Sequence, residues 1–239
     1  MTECTIDDFL GGKIRLKQPK EGLRATSDAV LLSAVCSPKT GESVLDVGCG
    51  AGVVALCIGA GQEKLDLFGI ELQSVLANLA QENADLNKIQ MTVIQSDIRQ
   101  KDVLKDCFFH HVVTNPPFYT EDPRRQNESQ EIAYKEIVPL KDWISFCLKH
   151  LRPKGSFSII HRIEAVPEIL SILSKKLGGI ILVPIWPKQG AQPKRVIIQG
   201  ILGSKKPFRL HPGIILHNAD NSRTETAESI MRQGVKIDL

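Results

Sequence analysis

The stretch Val44-Leu45-Asp46-Val47-Gly48-Cys49-Gly50-Ala51-Gly52 joins a short apolar strand to a turn with three glycines in five positions, and a helical pattern follows. Glycines let the backbone adopt positive φ and approach a ligand closely. Free N–H groups at the start of the next helix favour an electronegative group. The stretch therefore predicts a βα unit that binds a nucleotide-type ligand through Asp46, Gly48, Gly50 and Gly52, a property that it shares with dinucleotide-binding proteins.

Outward from this unit, strand-like and helical patterns alternate along the chain. The predicted strands are residues 43–47, 66–70, 91–94, 109–114 and 156–160, and the predicted helices are residues 53–59, 74–87 and 141–151. This alternation indicates an α/β fold with a doubly wound, mostly parallel sheet. The strand-like runs 180–187 and 195–202 add a C-terminal antiparallel hairpin. We expect Pro184 and Pro187 to place its first strand near an edge or to end it early.

Two acidic residues follow the next strands of the pattern. Glu71 lies 25 residues after Asp46, where doubly wound folds use an acid to accept hydrogen bonds from ribose hydroxyls. Asp97 follows the third strand and is expected to accept from an adenine amino group, with Ile98 covering the ring. Either acid alone is an ordinary loop or cap residue. Their position after successive strands places both at the carboxyl edge of the sheet.

The tetrad Asn115-Pro116-Pro117-Phe118 follows the fourth strand. Two consecutive prolines fix φ near about −65° and remove two backbone donors, so a central strand cannot continue through them. The rigid turn presents the Asn115 side-chain oxygen and the Pro116 carbonyl as acceptors, beside an aromatic ring. This arrangement suits a flat group that bears an –NH2. With the nucleotide-type site upstream, it predicts methylation of an amino group, with the four residues of the tetrad as the catalytic residues.

The composition is that of a globular protein with one domain. The 239 residues are 42% hydrophobic and 24% charged. No apolar run approaches the roughly 18 residues needed to span a bilayer, and the acidic first eight residues are unlike a signal or transit peptide. The six cysteines show no metal-ligand spacing. We therefore expect reduced, mostly buried thiols, no metal site and a cytoplasmic location.

Charge is distributed unevenly along the chain. Residues 41–120 carry 5 Lys and Arg against 10 Asp and Glu, whereas residues 186–239 carry 9 against 4. This division suits a small-molecule site joined to a surface that meets a polyanion, and the alternative is chance clustering of solvated charge. On the first interpretation, an electrostatic footprint for RNA is formed by Lys188, Lys194, Arg195, Lys205 and Lys206.

On these motifs the chain resembles class I S-adenosylmethionine-dependent methyltransferases of the small methyltransferase type, and more narrowly the bacterial valine-tRNA (adenine-N6)-methyltransferase group. The likeness covers nearly the whole chain and is carried by residues 24–32, 45–52, 69–71, 96–98, 114–119 and 193–196. It implies a seven-stranded Rossmann-like sheet, S-adenosylmethionine as cofactor and tRNA as partner. It also implies one globular unit, in which residues 1–40 form an extension over the cofactor site of a methyltransferase domain, residues 41–239.

The resemblance implies roles for single residues at the cofactor. Contacts with it are expected from Asp46, Gly48, Gly50, Gly52, Glu71, Asp97, Ile98, Asn115, Thr26 and Asp28. Thr26 and Asp28 would close over the methionine end, and the alternative is that they only cap a helix.

The resemblance also implies a substrate side of the site. Phe118, where tyrosine is common in that group, would stack on the target base. A polar loop over residues 120–135 would bring paired arginines to phosphates. The residues expected to contact the substrate are Phe118, Tyr119, Arg124, Arg125, Lys194 and Arg195.

The Asn-Pro-Pro-aromatic motif is specific for planar amino nitrogens and is not specific for one substrate. The leading hypothesis is methylation of adenine N6 in a tRNA anticodon loop. The same chemistry on a ribosomal RNA base or a protein glutamine is an alternative, although the roughly 40 residues before Ser43 are short for a protein-recognition domain. Two further alternatives are a non-catalytic cofactor- or RNA-binding protein and a nicotinamide-dependent oxidoreductase. The intact motif argues against both.

Overall fold

Two sheets organise the protein, whose computed structural model describes residues 3–22, 24–117 and 138–239. The strands, in chain order, are β1 (Cys4–Phe9), β2 (Ile14–Pro19), β3 (Ser43–Val47), β4 (Asp66–Glu71), β5 (Met91–Gln95), β6 (Phe109–Thr114), β7 (Leu151–Arg162), β8 (Leu177–Lys188), β9 (Arg195–Leu202), β10 (Arg209–Leu210) and β11 (Ile214–His217). Strands β1 and β2 form an antiparallel hairpin of their own. In the described ranges, the other nine form one sheet of order β10-β8-β9-β7-β6-β3-β4-β5, with β11 also paired to β8.

Helices cover both faces of the large sheet. In chain order they are α1 (Ser27–Val35), α2 (Val53–Gly59), α3 (Ser74–Leu86), α4 (Leu140–Lys149), α5 (Val166–Leu173) and α6 (Glu225–Glu228). Helices α1, α2 and α3 contribute buried residues to one apolar core, and α4 and α5 contribute to a second. In β6, Val113 belongs to the first core and Val112 to the second, because successive side chains of a strand point to opposite faces.

The predicted doubly wound, mostly parallel sheet with a C-terminal hairpin is confirmed. Strands β3 to β7 pair in parallel, and β9 pairs antiparallel with both β7 and β8. These seven strands are the predicted set. Strands β10 and β11 are additional and pair in parallel with β8. Their lengths of 2 and 4 residues explain why the sequence pattern did not indicate them.

Of the two outcomes expected from Pro184 and Pro187, the structure shows a strand near the edge of the sheet and no early end. Strand β8 continues through Pro184 and Pro187 to Lys188. Strand β10 pairs with residues 181 and 182, whereas β11 pairs with residues 185, 186 and 188. Pro184 and Pro187 are thus absent from the pairs formed on that side, so their missing N–H groups break no ladder there. The strand does lie toward the edge, beyond which only these short strands follow.

The N-terminal hairpin is joined to α3 by two asparagines. Asn83 accepts from the Lys17 N–H at 2.7 Å and donates to the Lys17 carbonyl at 2.8 Å. Asn87 makes the equivalent pair of hydrogen bonds to the Arg15 backbone, both at 2.8 Å. Asn83 also donates to the Ala51 carbonyl at 3.0 Å. The hairpin, α3 and the glycine-rich turn are therefore hydrogen-bonded together.

Two features of the composition are visible in the fold. All six cysteines are free thiols and four are buried, Cys36, Cys49, Cys57 and Cys147, as expected. Across the described ranges, no helix is both long enough and apolar enough to cross a bilayer.

Candidate active site

The glycine-rich turn after β3 is held against β4 by backbone hydrogen bonds. The N–H groups of Gly48 and Cys49 both donate to the Ile70 carbonyl, at 2.8 and 3.1 Å. A Cβ on Gly48, at φ +71°, would lie 2.7 and 2.9 Å from the ring of Trp143. A Cβ on Gly50, at φ +55°, would meet no atom within 4 Å. The turn is therefore packed against protein at Gly48 and open at Gly50.

Asp46 lies beneath this turn and is only 1% exposed. Burial raises the pKa of its carboxyl to about 7, a hydrogen bond from the Ala55 N–H opposes this shift, and the charge of Glu71 adds to it. The Ala55 N–H lies 3.4 Å from Oδ2. Since Ala55 is in the first turn of α2, the carboxyl joins β3 to the helix that follows the turn.

The buried Asp46 carboxyl predicts a pH-dependent stability. Because folding raises its pKa from 3.8 to about 7, the native protein keeps a proton that the unfolded chain loses between these values. The stability from this group is present below about pH 4 and is lost as the pH rises to 7. We therefore expect the free energy of unfolding of Asp46→Asn, relative to that of wild type, to rise by about 2–3 kcal/mol as the pH increases from 5 to 8. Denaturant unfolding at both pH values measures this gain, and a constant difference contradicts the prediction.

Glu71 ends β4 next to the turn and is 7% exposed. Its Oε2 accepts from the Gly50 N–H and its Oε1 accepts from the Gln73 N–H, both at 2.9 Å. A carboxylate has about four lone-pair positions, so both oxygens retain acceptor capacity for a ligand. The carboxylate therefore both fixes the open part of the turn and faces it as an acceptor.

Asp97 follows β5 at the same edge, and Arg99 engages its carboxylate. The Arg99 guanidinium donates to Asp97 through Nε at 2.9 and 3.0 Å and through a terminal nitrogen at 2.6 Å. These hydrogen bonds hold the pKa of Asp97 below its ordinary value. Ile98 is partly buried against the second core. Sequence analysis did not consider Arg99, whose position two residues after Asp97 was the available signal.

Asn115 and Pro116 follow β6, the neighbour of β3 in the sheet. Thr114 is paired with Val47, so Asn115 comes directly after the strand end that adjoins Gly48. Asn115 is half-buried, Pro116 is buried and Pro117 is exposed. The structure therefore brings the glycine turn and the first part of the Asn-Pro-Pro motif to adjacent strand ends.

Trp143 of α4 connects these two strand ends. Its indole N–H donates to Thr114 Oγ1 at 2.8 Å, and Thr114 Oγ1 donates to the Val47 carbonyl at 2.8 Å. The same ring lies against Gly48. None of the sequence motifs includes Trp143. Its position between the two motifs depends on how α4 crosses the sheet, which the sequence pattern does not contain.

Replacing Trp143 with phenylalanine removes this indole hydrogen bond. We expect the free energy of unfolding to fall by about 1–2 kcal/mol, and kcat for methyl transfer to fall more than cofactor affinity, because Thr114 directly precedes Asn115. Trp186→Phe is the matched control, since its indole donates at 3.2 Å to the Pro212 carbonyl in another part of the sheet. Unfolding curves and steady-state kinetics of the two variants make the comparison. Equal effects on kcat contradict the prediction.

A cavity of about 340 Å³ opens beside the Asn-Pro-Pro turn. It lies between the turn, the start of α4 and the end of β7. Its lining includes Pro116, Pro117, Trp143, His161, Arg162, Glu164 and Glu168. Burial, together with the charges of Arg162 and Arg195, lowers the pKa of His161 to about 4, so the imidazole is neutral at pH 7. None of the sequence motifs includes His161 or Arg162. Both residues lie at the carboxyl end of β7, the strand parallel to β6, and this position was the available signal.

Helix α1 and the C-terminal hairpin meet through an ion pair. Thr26 caps α1 by accepting from the Asp28 N–H at 3.3 Å, and the expected contact with the cofactor stays a prediction. Asp28 accepts from Arg195 Nε at 3.0 Å. Arg195 is paired with Arg162 across β7 and β9, and so lies at the edge that carries Asn115. Lys194, the preceding residue, is exposed.

Several predicted site residues lie outside the described ranges. Phe118, Tyr119, Arg124 and Arg125 are among them, and the predicted polar loop 120–135 is with them. In the ranges that the structure does describe, no group of three or more His, Cys, Asp or Glu side chains is arranged to hold a metal ion.

The comparisons with known proteins agree with this fold. The sequence matches the model of the methyltransferase small domain family over residues 25–179, more than half of the chain. It is 26% identical over 222 residues to a Haemophilus influenzae protein named tRNA1(Val) (adenine(37)-N6)-methyltransferase, with 91% of this chain and 93% of that protein covered.

Solved structures give the same result for the fold. A predicted O-methyltransferase from Agrobacterium tumefaciens superimposes with a TM-score of 0.73 at 22% identity, over 88% of this chain and 98% of that one. A class I S-adenosylmethionine-dependent methyltransferase from Listeria monocytogenes gives 0.50 at 19% identity, over 80% of this chain and 62% of that one. The chain belongs to the methyltransferase small domain family and is a methyltransferase that uses S-adenosylmethionine.

Proposed function

We propose that this enzyme methylates the N6 amino nitrogen of an adenine in a tRNA anticodon loop. The observation that carries the proposal is the position of Asn115 and Pro116, which follow β6 directly beside the glycine turn of β3. Pro116 also lines the cavity. The name of the Haemophilus influenzae relative supports adenine N6 and tRNA as the target. The basic C-terminal segment supports a polyanionic substrate.

The residues at this edge of the sheet fit S-adenosylmethionine. The open side of Gly50 leaves room for a ligand against the turn, and the Glu71 carboxylate beside it has acceptor capacity for ribose hydroxyls. Asp97 and Ile98 are assigned to the adenine ring of the cofactor. The full set that we propose for the cofactor is Asp46, Gly48, Gly50, Gly52, Glu71, Asp97, Ile98, Asn115, Thr26 and Asp28.

The Asn115 side chain and the Pro116 carbonyl activate the target nitrogen. An adenine amino nitrogen is a poor nucleophile because its lone pair is delocalised into the ring. Asn115 Oδ1 and the Pro116 carbonyl each accept one of its N–H bonds, which draws the nitrogen toward tetrahedral geometry. These hydrogen bonds strengthen as positive charge develops on nitrogen, so they stabilise the transition state more than the ground state. The S–CH3 bond of the sulfonium would break as the N–C bond forms, leaving a neutral thioether, and one N–H proton would then leave the nitrogen for solvent.

S-adenosylmethionine supplies an electrophilic methyl group when bound, so alignment by the protein accounts for much of the remaining catalysis. Phe118 stacks on the target base and Tyr119 borders it in this proposal. Arg124, Arg125, Lys194 and Arg195 contact phosphates. We also propose that residues 1–40 form an extension over the cofactor site of the domain formed by residues 41–239. The hydrogen bonds that join β2 to α3 and α3 to Ala51 support this assignment.

The test is methyl transfer from labelled S-adenosylmethionine into separated tRNA, ribosomal RNA and protein fractions. The fractions come from a strain that lacks the gene, so that the target is unmodified. We expect label in tRNA that digests to N6-methyladenosine and is absent with Asn115→Ala. Label only in ribosomal RNA or protein keeps the chemistry and contradicts the tRNA substrate. No label in any fraction, with cofactor still bound, contradicts the proposed function.

A further inference from the structure

The outermost part of the sheet carries an exposed segment of mixed basic and apolar character. We name it the outer basic strip, and it consists of Lys205, Lys206, Phe208, Arg209 and Leu210. Phe208 is 54% exposed and Leu210 is 67% exposed, although both are large and apolar. The three cations of the strip are also exposed, and they form no ion pair with a carboxylate of the described ranges.

Acidic residues are absent from the sequence around the strip. Residues 169–219 contain eight Lys and Arg and no Asp or Glu, whereas the other 188 residues contain 22 against 27. This range spans β8, β9, β10 and β11, so these strands and their connections contribute cations and no carboxylate to the protein. Exposed cations without neighbouring carboxylates repel each other, and a polyanion relieves this repulsion while releasing its own counterions.

Two glycines hold the strip in a fixed position on β8. A Cβ on Gly178 would lie only 2.0 Å from the Ser204 carbonyl oxygen, so the chain leading into the strip rests directly on this glycine. Gly179, at φ +58°, donates its N–H to the Lys206 carbonyl at 2.8 Å. Beyond the strip, the N–H of His211 donates to the Leu182 carbonyl at 2.8 Å. The strip is therefore anchored by backbone contacts at both ends while its side chains face solvent.

We propose that the outer basic strip is a second RNA-binding surface, which holds a part of the substrate remote from the methylated base. Its cations contact phosphates, and Phe208 offers a ring on which an unpaired base can stack. The apolar area of two side chains is far below the roughly 800 Å² that each partner buries in a stable protein interface, so a protein partner fits less well. The inference rests on the proposed function, because it needs an RNA substrate.

The outer basic strip lies far from the Asn-Pro-Pro turn, and this distance determines its role. Strands β6 and β10 are separated by β7, β9 and β8, which makes four strand spacings or roughly 19 Å. Arg209 pairs with Ile181, whereas Ile185, at the catalytic edge, pairs with Arg195. The strip is thus displaced toward the opposite edge as well. At this distance it contributes to the affinity for a whole tRNA, and the methyl-transfer step itself does not depend on it.

The experiment compares wild type with the triple variant Lys205→Ala, Lys206→Ala, Arg209→Ala and with Phe208→Ala. Binding of unmodified tRNA is measured at several salt concentrations, with methylation kinetics in parallel. In the triple variant, the slope of log Kd against log salt is expected to fall by about 2–3, roughly one for each phosphate contact removed. KM for tRNA is expected to rise about tenfold or more, with kcat at saturating tRNA unchanged. Phe208→Ala is expected to raise Kd about tenfold with little change of slope.

The control is a second triple variant, Lys39→Ala, Lys101→Ala, Lys105→Ala, which changes net charge equally with three exposed cations from other parts of the chain. Melting temperature and cofactor affinity verify that every variant is folded. Equal tRNA affinity in the strip variants and wild type overturns the inference and leaves the proposed function intact. An equal loss in the control variant also overturns it. A wild-type protein that methylates no RNA overturns the proposed function, and the inference falls with it.

Discussion

Replacing Asn115 with alanine is expected to lower kcat for methyl transfer by about 10²–10³-fold, the usual effect of removing one group that stabilises developing charge. The side-chain oxygen accepts from the amino group of the target base in the proposed mechanism, and no other side chain of the tetrad offers an acceptor. Because Asn115 follows β6 at the sheet edge and is half-buried, its truncation leaves the two apolar cores intact. We therefore expect the fold and most of the cofactor affinity to be retained.

Two further substitutions sharpen this test. Asn115→Asp keeps an oxygen acceptor at the same position and is expected to retain more activity than Asn115→Ala. Gln62→Ala removes a side-chain amide from the turn between α2 and β4, at the opposite edge of the sheet, and is expected to leave kcat unchanged. Single-turnover rates at saturating cofactor and RNA make the measurement. Full activity in Asn115→Ala contradicts the assigned role of this side chain.

Replacing Gly48 with alanine is expected to have the largest effect on the cofactor site. Gly48 has φ +71°, and a Cβ there would lie 2.7 and 2.9 Å from two ring carbons of Trp143. The ring cannot move without weakening its hydrogen bond to Thr114, which is 2.8 Å long. Backbone strain and overpacking together predict a loss of about 2–5 kcal/mol in the free energy of unfolding. Because the turn itself is displaced, we also expect cofactor binding to be lost.

The matched control for Gly48→Ala is Gly41→Ala. Gly41 has a similar φ of +82°, but a Cβ on it would meet no atom within 4 Å. It therefore measures the cost of the backbone conformation alone, expected to be about 1 kcal/mol. Adding Trp143→Phe to Gly48→Ala removes the two clashing ring carbons and is expected to restore part of the lost stability, as a double-mutant cycle would report. Equal destabilisation by Gly48→Ala and Gly41→Ala contradicts this account.

Local sequence patterns predicted the central elements closely. Strands β3 and β6 and helix α2 begin and end at the predicted residues. Glycine follows β3 and bounds α2 at both ends, and Asn115-Pro116 follows β6, so turn chemistry marks where each element stops. The patterns failed to predict elements whose extent depends on how neighbouring strands pair. Strand β8 continues through Pro184 because β10 and β11 leave that position unpaired on their side, while β9 pairs with it at Val196. The chain that leads to β10 approaches β8 closely at Gly178 and Gly179.

The site residues divide in the same way. The positions of Asp46, Glu71 and Asn115 could be predicted because each lies at or next to the carboxyl end of a strand, and the carboxyl ends of neighbouring parallel strands meet at one edge of a sheet. Arg99 was missed as the partner of Asp97 because short polar segments carry no periodicity, so that its position two residues after Asp97 was the only signal. The ion pair between Asp28 and Arg195 joins residues 167 positions apart, which no local pattern contains.

The sequence by itself determined the fold class, the βα order, the glycine turn and the Asn-Pro-Pro turn after β6, because propensity, turn chemistry and hydrophobic period act over a few neighbouring residues. Only the tertiary structure decided which side chains surround these motifs. Trp143 lies between Gly48 and Thr114, His161 and Arg162 border the cavity, and the outer basic strip lies four strands from Asn115. These positions depend on strand order and helix crossing, which arise from burying the two cores together and are therefore properties of the whole chain.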